Sequence, residues 1–388
     1  MKRVVLLGST GSIGTQALDV IRTLNGAEPQ FDVVALAAGQ NLPTLAEQIR
    51  EFHPANVAIR NPDDTDRLCE LIGVDATNVA FASGPDALDA LIRDSNADLV
   101  VNGLVGAVGL RPTLAALDAG VDVALANKES LVIGGPLVQQ ARNASHARLI
   151  PIDSEHSALF QLLEGVPRGH VERLILTASG GALRERPLDQ LAAVTPEDVL
   201  SHPTWNMGAR VTVDSATLVN KALEVIEAHW LFQWPYEAID AVIHPQSTVH
   251  GLIGLTDGGV RAALSPPDMR EPIQYALTYP DRAARPIHHL DWRDLTLEFR
   301  ELDLERYPAF GVVVEAGRQG GTAPAVANAA DEVLVERFLN REIPFARIAT
   351  GIDEILQSHD VIDEFDLAEL GDADRRARER ARSLDPGD

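Results

Sequence analysis

The chain has 388 residues and a formal net charge of −24, which results from 33 basic and 57 acidic residues. Such a charge argues against general affinity for nucleic acid or for an anionic membrane surface. The single cysteine, Cys69, excludes an intramolecular disulfide and a metal site built from several cysteines.

Nearly all the basic residues are arginine, and the lysines are Lys2, Lys128 and Lys221. A chain with this bias is expected to keep lysine where a compact, flexible ammonium is required. Together with the acidic surface, the scarcity of lysine suggests a high-salt cytoplasm, where screening makes the charge tolerable.

No apolar run approaches the roughly 18 residues of a membrane span. The start at Met1 leads directly into a predicted strand, so we expect a cytoplasmic protein without a signal peptide.

Residues 1–150 alternate short apolar β-branched runs with helical patterns. This alternation predicts an α/β fold with a doubly wound parallel sheet. The predicted strands are Val4–Leu7, Phe31–Ala37, Asn56–Ile59, Val79–Phe81, Asp98–Val101 and Val121–Ala126. The predicted helices are Ile13–Leu24, Leu42–Phe52, Pro85–Arg93 and Pro112–Ala119.

The turn after the first predicted strand contains Gly8, Gly11 and Gly14 and opens a helix. Glycines let the backbone approach a pyrophosphate at a helix N-terminus, so this turn indicates a dinucleotide site. The spacing differs from G-x-G-x-x-G, and a tight turn without a ligand is the alternative. Residues 37–41, after the second strand, contain no carboxylate for a ribose 2′-hydroxyl. Their composition favours NADP, with Arg60 as a candidate partner of the 2′-phosphate.

Lys128 follows the sixth predicted strand, and ligands bind beyond the carboxyl ends of such strands. Its ammonium can therefore reach a cleft, although an exposed cap of the next helix is the alternative. A further strand, Arg148–Ile152, is followed by Asp153 and Glu155, which lie on one side of an extended backbone. A helix is expected over Ser157–Leu163.

Asp153, Glu155 and Glu224 form a candidate set of oxygen ligands for a divalent cation. A set made only of carboxylates suits Mg²⁺ or Mn²⁺ and argues against zinc. The alternative is that Asp153 caps a helix and Glu155 is an acidic residue of its first turn. We expect His156 to be structural.

Glu224 belongs to a helix that we predict to start at an N-cap, Asp214 or Ser215, and to run through Trp230. Asn220 and Lys221 lie four and three residues before Glu224, so the three side chains share one face. This face can hold a phosphate and a metal ion, and a solvated Lys–Glu pair is the alternative.

Three more segments carry polar or aromatic residues in loops. A strand over Arg173–Thr177 leads into Ser179-Gly180-Gly181, a candidate anion-binding nest. A Pro- and Gly-containing loop around 201–209 carries His202 and Trp205 and is interpreted as a lid over the substrate. Residues 243–250 are predicted to form a strand with polar side chains.

Pro- and Arg-rich residues 285–315 predict a linker between a catalytic domain over 151–284 and a C-terminal all-α domain over 316–388. The helical patterns in this last part are Ala323–Leu339, Ala346–Leu356 and Leu367–Ser383.

These motifs, in this order and spacing, resemble the 1-deoxy-D-xylulose-5-phosphate reductoisomerase family, and the resemblance covers nearly the whole chain. The segments that carry it are Gly8–Gly14, Leu125–Ser130, Pro151–His156, Ala178–Gly181, His202–Gly208, Val213–Glu224 and His244–His250. The resemblance implies a homodimer with an N-terminal Rossmann-like NADPH domain, a central α/β catalytic domain with a flexible lid, a linker and a C-terminal helical domain.

It also implies a role for each matching residue. Asp153, Glu155 and Glu224 would bind the cation, while the substrate phosphate would bind to Ser179, Ser215, Asn220 and Lys221. Lys128 and Ser154 would contact other substrate oxygens, and His202 and Trp205 would belong to the lid. The cofactor site would be lined by Thr10, Gly11, Ser12, Ile13, Gly39, Gln40, Asn41, Asn127, Glu129 and Gly208, with Met207 near the nicotinamide.

The implied reaction rearranges 1-deoxy-D-xylulose 5-phosphate by retro-aldol and aldol steps and then reduces the aldehyde with NADPH. Glu155 and Lys128 are the candidates for moving protons. Family members often carry a basic residue where this chain has Gln40. The neutral Gln40 adds no positive charge that would strengthen recognition of the 2′-phosphate. The alternatives are an NADPH oxidoreductase for another sugar phosphate and a dinucleotide-binding regulator without catalytic activity.

Overall fold

The structure is a computed structural model that describes residues 1–26, 28–73, 78–84, 86–201, 208–284 and 290–387. Its strands are β1 (Lys2–Leu7), β2 (Phe31–Ala38), β3 (Asn56–Ile59), β4 (Ala80–Ser83), β5 (Leu99–Asn102), β6 (Asp122–Leu125), β7 (Leu149–Pro151), β8 (Val171–Ala178), β9 (Ile239–Ile243), β10 (Val249–Leu255) and β11 (Val260–Leu264). Its helices are α1 (Ser12–Asn25), α2 (Leu42–Phe52), α3 (Thr65–Ile72), α4 (Ala87–Asp94), α5 (Leu110–Asp118), α6 (Glu129–Ala144), α7 (Ser154–Leu163), α8 (Pro196–Val199), α9 (Ala209–Thr217), α10 (Val219–Phe232), α11 (Arg270–Thr278), α12 (Pro308–Gln319), α13 (Ala323–Leu339), α14 (Ala346–Gln357) and α15 (Leu367–Ser383).

The chain divides into two compact units. The first contains Met1–Ser130, Pro136–Ser157 and the segment that starts at Asp268. The second contains Leu131–Gly135, Ala158–Pro267 and the rest of the chain to Asp388. The domain boundaries drawn from the sequence at residues 150, 284 and 315 stay predictions. Within the described ranges, no helix is long and apolar enough to cross a bilayer.

The first unit is built on a seven-stranded parallel sheet in the order β4-β3-β2-β1-β5-β6-β7. The predicted parallel α/β sheet is therefore confirmed. The apolar run Val4–Leu7 in β1 is fully buried, as expected for a strand covered on both faces. Because β1 pairs with β2 on one side and β5 on the other, the strand order reverses there. Ligands of such sheets bind at this switch point.

The second unit contains a four-stranded sheet in the order β11-β10-β8-β9, in which β8 and β9 are parallel. The predicted strand over residues 243–250 is wrong, because β9 ends at Ile243 and β10 begins at Val249. Between them the imidazole of His244 closes a turn, and its Nε2 accepts hydrogen bonds from the amides of Thr248 and Val249. Burial lowers the pKa of His244, in keeping with a neutral ring that can accept these bonds.

The three helices predicted at the C-terminal end are confirmed as α13, α14 and α15. Helix α12 begins at Pro308, inside residues 285–315, for which the sequence predicts a linker. Proline is favoured in the first turn of a helix, where its missing amide hydrogen costs no intrahelical bond.

The end of α10 offers a test of backbone strain. Gln233 is exposed and has a left-handed conformation with φ of 53°. Gln233→Gly is expected to raise the free energy of unfolding by about 0.5–1 kcal/mol, because glycine adopts this φ without a Cβ clash. Denaturant unfolding measures the gain. Gln233→Ala keeps the Cβ and should show no gain, so equal stabilisation by both variants would contradict the explanation.

Candidate active site

The glycine-containing turn lies at the carboxyl end of β1, at the switch point of the parallel sheet. Gly11 is the N-cap of α1 in an extended conformation. A Cβ on Gly14 would lie 2.3 Å from the carbonyl oxygen of Gly8, so the helix can start this close to the strand only with glycine. The predicted cofactor residues Thr10, Gly11, Ser12 and Ile13 therefore lie on a tight strand-to-helix turn that keeps them partly or fully exposed.

A second group of predicted cofactor residues follows β2. Gly39, Gln40 and Asn41 are exposed, and Asn41 caps α2 by accepting a hydrogen bond from the amide of Thr44 at 3.3 Å. Arg60 is exposed directly after β3, the neighbour of β2 in the sheet. Within the described ranges its guanidinium makes no ion pair, so it is available to an anionic group.

Asn127 and Glu129 are buried and hold a neighbouring loop in place. The Asn127 amide donates to the carbonyls of Leu104 and Gly106 and to a Glu129 oxygen, each at about 3 Å. The other Glu129 oxygen accepts from the amide of Gly106 at 2.8 Å. Asn127 and Glu129 thus shape the loop after β5 next to the switch point. This structural function was not predicted from the sequence.

Lys128, Asp153 and His156 form a connected polar group in the first unit. The Lys128 ammonium lies 2.7 Å from one Asp153 oxygen, and the other Asp153 oxygen lies 3.1 Å from Nδ1 of His156. The Lys128 and Asp153 side chains are 15% and 13% exposed, and that of His156 is fully buried. The alternative of an exposed cap is therefore wrong for Lys128.

The backbone around Asp153 differs from the predicted extended form. Helix α7 starts at Ser154, three residues before the predicted start, so Glu155 lies in its first turn. Asp153 accepts a hydrogen bond from the amide of Glu155 at 3.2 Å, and the Ser154 hydroxyl donates to Glu155 at 2.5 Å. The prediction that Asp153 and Glu155 lie on one side of an extended strand is wrong. Their carboxylates are positioned by the start of helix α7.

Asn220, Lys221 and Glu224 share one face of α10 in the second unit, as predicted. The Asn220 amide donates to one Glu224 oxygen at 2.6 Å, and the Lys221 ammonium donates to the other. The Lys221 and Glu224 side chains are only 3% and 2% exposed. A solvated pair is therefore excluded, and the charges of this face are buried.

The helix that carries these residues does not begin where the sequence predicted. Asp214 and Ser215 lie inside α9, and α10 starts at Val219 after Leu218, whose φ is 58°. Leu218 packs in a buried cluster with Ala178, Ile243 and Tyr307. The predicted N-cap is wrong, because α9 already runs through Asp214 and Ser215 and the helical path breaks only at Leu218.

The loop with Ser179 lies against α9. Gly181 has a φ of 66°, and a Cβ on it would lie 2.6 Å from the Cα of Ala216 and 2.7 Å from the carbonyl oxygen of Ser215. The Ser179 hydroxyl accepts a hydrogen bond from the amide of Gly181 at 3.1 Å. Gly181 therefore allows the two serine-bearing segments to approach each other.

Two residues from the predicted linker, together with Arg184, hold this loop. The Tyr307 hydroxyl donates to the carbonyl of Gly180 at 2.9 Å, and burial raises the pKa of Tyr307 to about 12. Arg306 donates to the carbonyl of Leu183 at 3.2 Å, and Arg184 donates to the carbonyl of Ser179. These contacts could not be predicted from the sequence, because tyrosine and arginine in an aperiodic segment carry no local signal for them.

Gly181→Ala is expected to raise the KM for the substrate at least about tenfold, since the added methyl group would push the Ser179 loop and α9 apart. The free energy of unfolding is expected to fall as well. Steady-state kinetics and denaturant unfolding measure the two effects. Gly169→Ala is the matched control, because no atom lies within 4 Å of a Cβ there. A normal KM in Gly181→Ala would separate the loop from substrate binding.

His202, Trp205 and Met207 lie outside the described residues. Gly208 is the exposed N-cap of α9, and its carbonyl accepts a hydrogen bond from the Thr212 hydroxyl at 3.0 Å.

Comparison with known proteins gives one consistent result. A family model described as 1-deoxy-D-xylulose 5-phosphate reductoisomerase matches residues 4–135, and one for the C-terminal domain of that enzyme matches residues 149–232. A third model, described as DXP reductoisomerase C-terminal domain, matches residues 264–380.

Individual relatives match over nearly their whole length. A 1-deoxy-D-xylulose 5-phosphate reductoisomerase of Gloeobacter violaceus is 49% identical over 386 residues, which cover 99% of this chain and 97% of the relative. The solved structure of the enzyme from Zymomonas mobilis in complex with NADPH has a TM-score of 0.91 and 38% identity, covering 98% of both chains. A reductoisomerase structure with NADPH, fosmidomycin and magnesium has a TM-score of 0.90 and 33% identity, covering 99% of this chain and 98% of that one. The chain therefore belongs to the 1-deoxy-D-xylulose 5-phosphate reductoisomerase family.

Proposed function

We propose that this chain converts 1-deoxy-D-xylulose 5-phosphate into 2-C-methyl-D-erythritol 4-phosphate, by a metal-dependent rearrangement followed by reduction with NADPH. This reaction belongs to the methylerythritol phosphate route to isoprenoid precursors. The observation that carries the proposal is membership of the family, supported by three family models and by a relative that matches 99% of the chain.

The substrate phosphate is assigned to Ser179, Ser215, Asn220 and Lys221. Support comes from the buried Lys221 ammonium and from Gly181, which lets the two serine segments approach closely. In a chain of net charge −24, such a local cation is needed to attract a phosphate. Binding energy from this remote group positions the reacting carbons.

The divalent cation is assigned to Asp153, Glu155 and Glu224. Hard oxygen donors without a thiolate suit Mg²⁺ or Mn²⁺, so the donor set fits the group. A bound cation of this kind supplies Lewis acid catalysis and a template for vicinal oxygens. Lys128 and Ser154 are assigned to other substrate oxygens, and Glu155 and Lys128 remain the candidates for moving protons.

The NADPH site is assigned to residues 10–13 after β1, to residues 39–41 after β2, and to Asn127, Glu129 and Gly208. The exposed Gln40 and Arg60 are the candidates for contact with the 2′-phosphate. His202 and Trp205 are assigned to a lid, and Met207 to the vicinity of the nicotinamide. The use of Mn²⁺, the homodimer and the cytoplasmic location are further proposals that rest on the family resemblance and on the sequence.

The test is oxidation of NADPH by the purified chain, followed by absorbance, with 1-deoxy-D-xylulose 5-phosphate as the substrate. Turnover is expected with Mg²⁺ or Mn²⁺ and loss of turnover with a chelator. Other sugar phosphates serve as controls. Turnover with one of them but not with deoxyxylulose phosphate would favour a related oxidoreductase, and NADPH binding without turnover would favour a regulator.

A further inference from the structure

The glycine-containing turn after β1 is held on its inner side by β2 and α2. The amides of Gly8 and Ser9 both donate to the carbonyl of Ala37 in β2, each at 2.9 Å. The side chain of Gln48 in α2 donates from Nε2 to the carbonyl of Ser9 at 2.8 Å. These bonds connect the turn to the elements on either side of residues 39–41, the second predicted cofactor segment.

Gln48 lies at a position where its neighbours are apolar. Leu45 and Ile49 on the same side of α2 are 0% and 1% exposed, and Gln48 itself is 6% exposed. Burial of a polar amide costs free energy unless the amide forms hydrogen bonds. Within the described ranges the Gln48 side chain forms one, to the Ser9 carbonyl, and its Oε1 accepts none. The hydrogen bonding of this buried side chain is therefore directed at the turn.

The bond from Gln48 also fixes the direction of the next backbone amide. Ser9 is fully buried, and a Cβ on Gly14 would lie 2.5 Å from its carbonyl oxygen, so this oxygen is enclosed by α1 and depends on Gln48 for a donor. In a trans peptide the C=O and N–H groups point in opposite directions within one plane. Because the Ser9 oxygen is turned towards α2, the amide hydrogen of Thr10 is turned away from it.

The Thr10 amide is one of several that the turn leaves open to a ligand. The Gly11 amide donates to the carbonyl of Gly8 at 3.0 Å, whereas those of Thr10, Ser12 and Ile13 donate to no group in the described part of the chain. All three of these residues are at least partly exposed. Backbone amides at the start of a helix are the donors that a pyrophosphate accepts.

We propose that Gln48 is a positioning residue for the pyrophosphate of NADPH. Its carboxamide holds the peptide between Ser9 and Thr10 in the orientation that presents the Thr10 amide to the cofactor. Donors that are oriented before binding raise the affinity, because binding does not have to order them. This inference rests on the proposed function, since it requires that the turn binds the cofactor.

The test compares the binding of NADPH and of adenosine 2′-monophosphate, which lacks the pyrophosphate, to Gln48→Met and to the unmodified chain. Methionine is similar in length to glutamine but has no hydrogen-bond donor, so the Ser9 carbonyl loses its partner. The dissociation constant for NADPH, from a fluorescence titration, is expected to rise about tenfold, the effect of losing a charged hydrogen bond. The dissociation constant for adenosine 2′-monophosphate, from calorimetry, is expected to stay the same.

Steady-state kinetics and two further variants sharpen the test. The KM of Gln48→Met for NADPH should rise by the same factor with an unchanged kcat, because loss of uniform binding raises KM alone. Gln48→Glu should weaken NADPH binding more than Gln48→Met, because a carboxylate cannot donate and repels the Ser9 oxygen. Glu47→Met is the matched control, since Glu47 is exposed next to Gln48 on the same helix and should leave both affinities unchanged.

Two outcomes would overturn this inference alone, while the unmodified chain still binds NADPH. An unchanged NADPH affinity in Gln48→Met would exclude a positioning role. Equal weakening of NADPH and adenosine 2′-monophosphate would show that Gln48 stabilises the fold without acting on the pyrophosphate. Failure of the unmodified chain to bind NADPH would overturn the proposed function together with this inference.

Discussion

Glu224→Gln is expected to lower kcat about a hundredfold to a thousandfold, the effect of losing one group that stabilises charge in a transition state. The proposed function makes Glu224 a ligand of the divalent cation, and a neutral amide is a weaker ligand. The apparent affinity for Mg²⁺ should fall in parallel. NADPH oxidation measured against Mg²⁺ concentration gives both quantities, and unchanged values in the variant would exclude Glu224 from the metal site.

The same substitution also affects folding, and this effect needs its own control. Lys221 and Glu224 are both buried, and removing one partner of such a pair costs about 3–5 kcal/mol. The double variant Lys221→Met with Glu224→Gln removes both charges and should recover much of the lost stability, as measured by denaturant unfolding. Its activity should stay low. Recovery of activity together with stability would show that the first loss was a folding defect.

Arg210→Met is expected to lower the free energy of unfolding by about 3–5 kcal/mol, because it removes the guanidinium that lies beside the buried Asp214 carboxylate and between α9 and α13. Arg210 on α9 lies 2.9 Å from Glu332, 3.6 Å from Asp331 and 3.5 Å from Asp214. It thereby joins α9, which carries Ser215, to α13. Denaturant unfolding measures the loss, with Arg382→Gln on the exposed face of α15 as the control. A loss below 1 kcal/mol would show that the network behaves like a surface ion pair.

Asp331→Asn is expected to have a much smaller effect at neutral pH. Asp331 is fully buried, and this burial, with the nearby Asp214 carboxylate, raises its pKa well above 3.8. The folded state then binds more protons than the unfolded state, so the contribution of Asp331 to stability falls as pH rises above about 4. Unfolding measured across pH should therefore show a shallower decline in the variant. An unchanged slope would mean that Asp331 is ionised in the folded protein.

Much of the fold could be predicted from the sequence because its signals are local. The buried strand Val4–Leu7 is an uninterrupted apolar run, and the C-terminal helices α14 and α15 follow a helical period. The face with Asn220, Lys221 and Glu224 also follows from helical spacing, since residues three and four apart are neighbours on any helix.

The predictions that were wrong depended on contacts between distant residues. The helix around Ser215 is broken at Leu218, and the left-handed conformation of that residue is stabilised by burial against Ile243 and Tyr307. The turn between β9 and β10 exists because a buried His244 ring closes it. No local pattern encodes either contact. Helix and strand propensities therefore predicted a helix that continues through Leu218 and a strand over residues 243–250.

By itself, the sequence determined the alternation of strands and helices, the glycine turn, the order of the motifs and hence the family. These features are set by residue type and spacing within a few positions. Only the tertiary structure decided that the Lys221–Glu224 pair is buried, that Tyr307 holds the Ser179 loop, and that Arg210 connects α9 with α13. The physical reason is that burial and pairing depend on which distant segments the folded chain brings together.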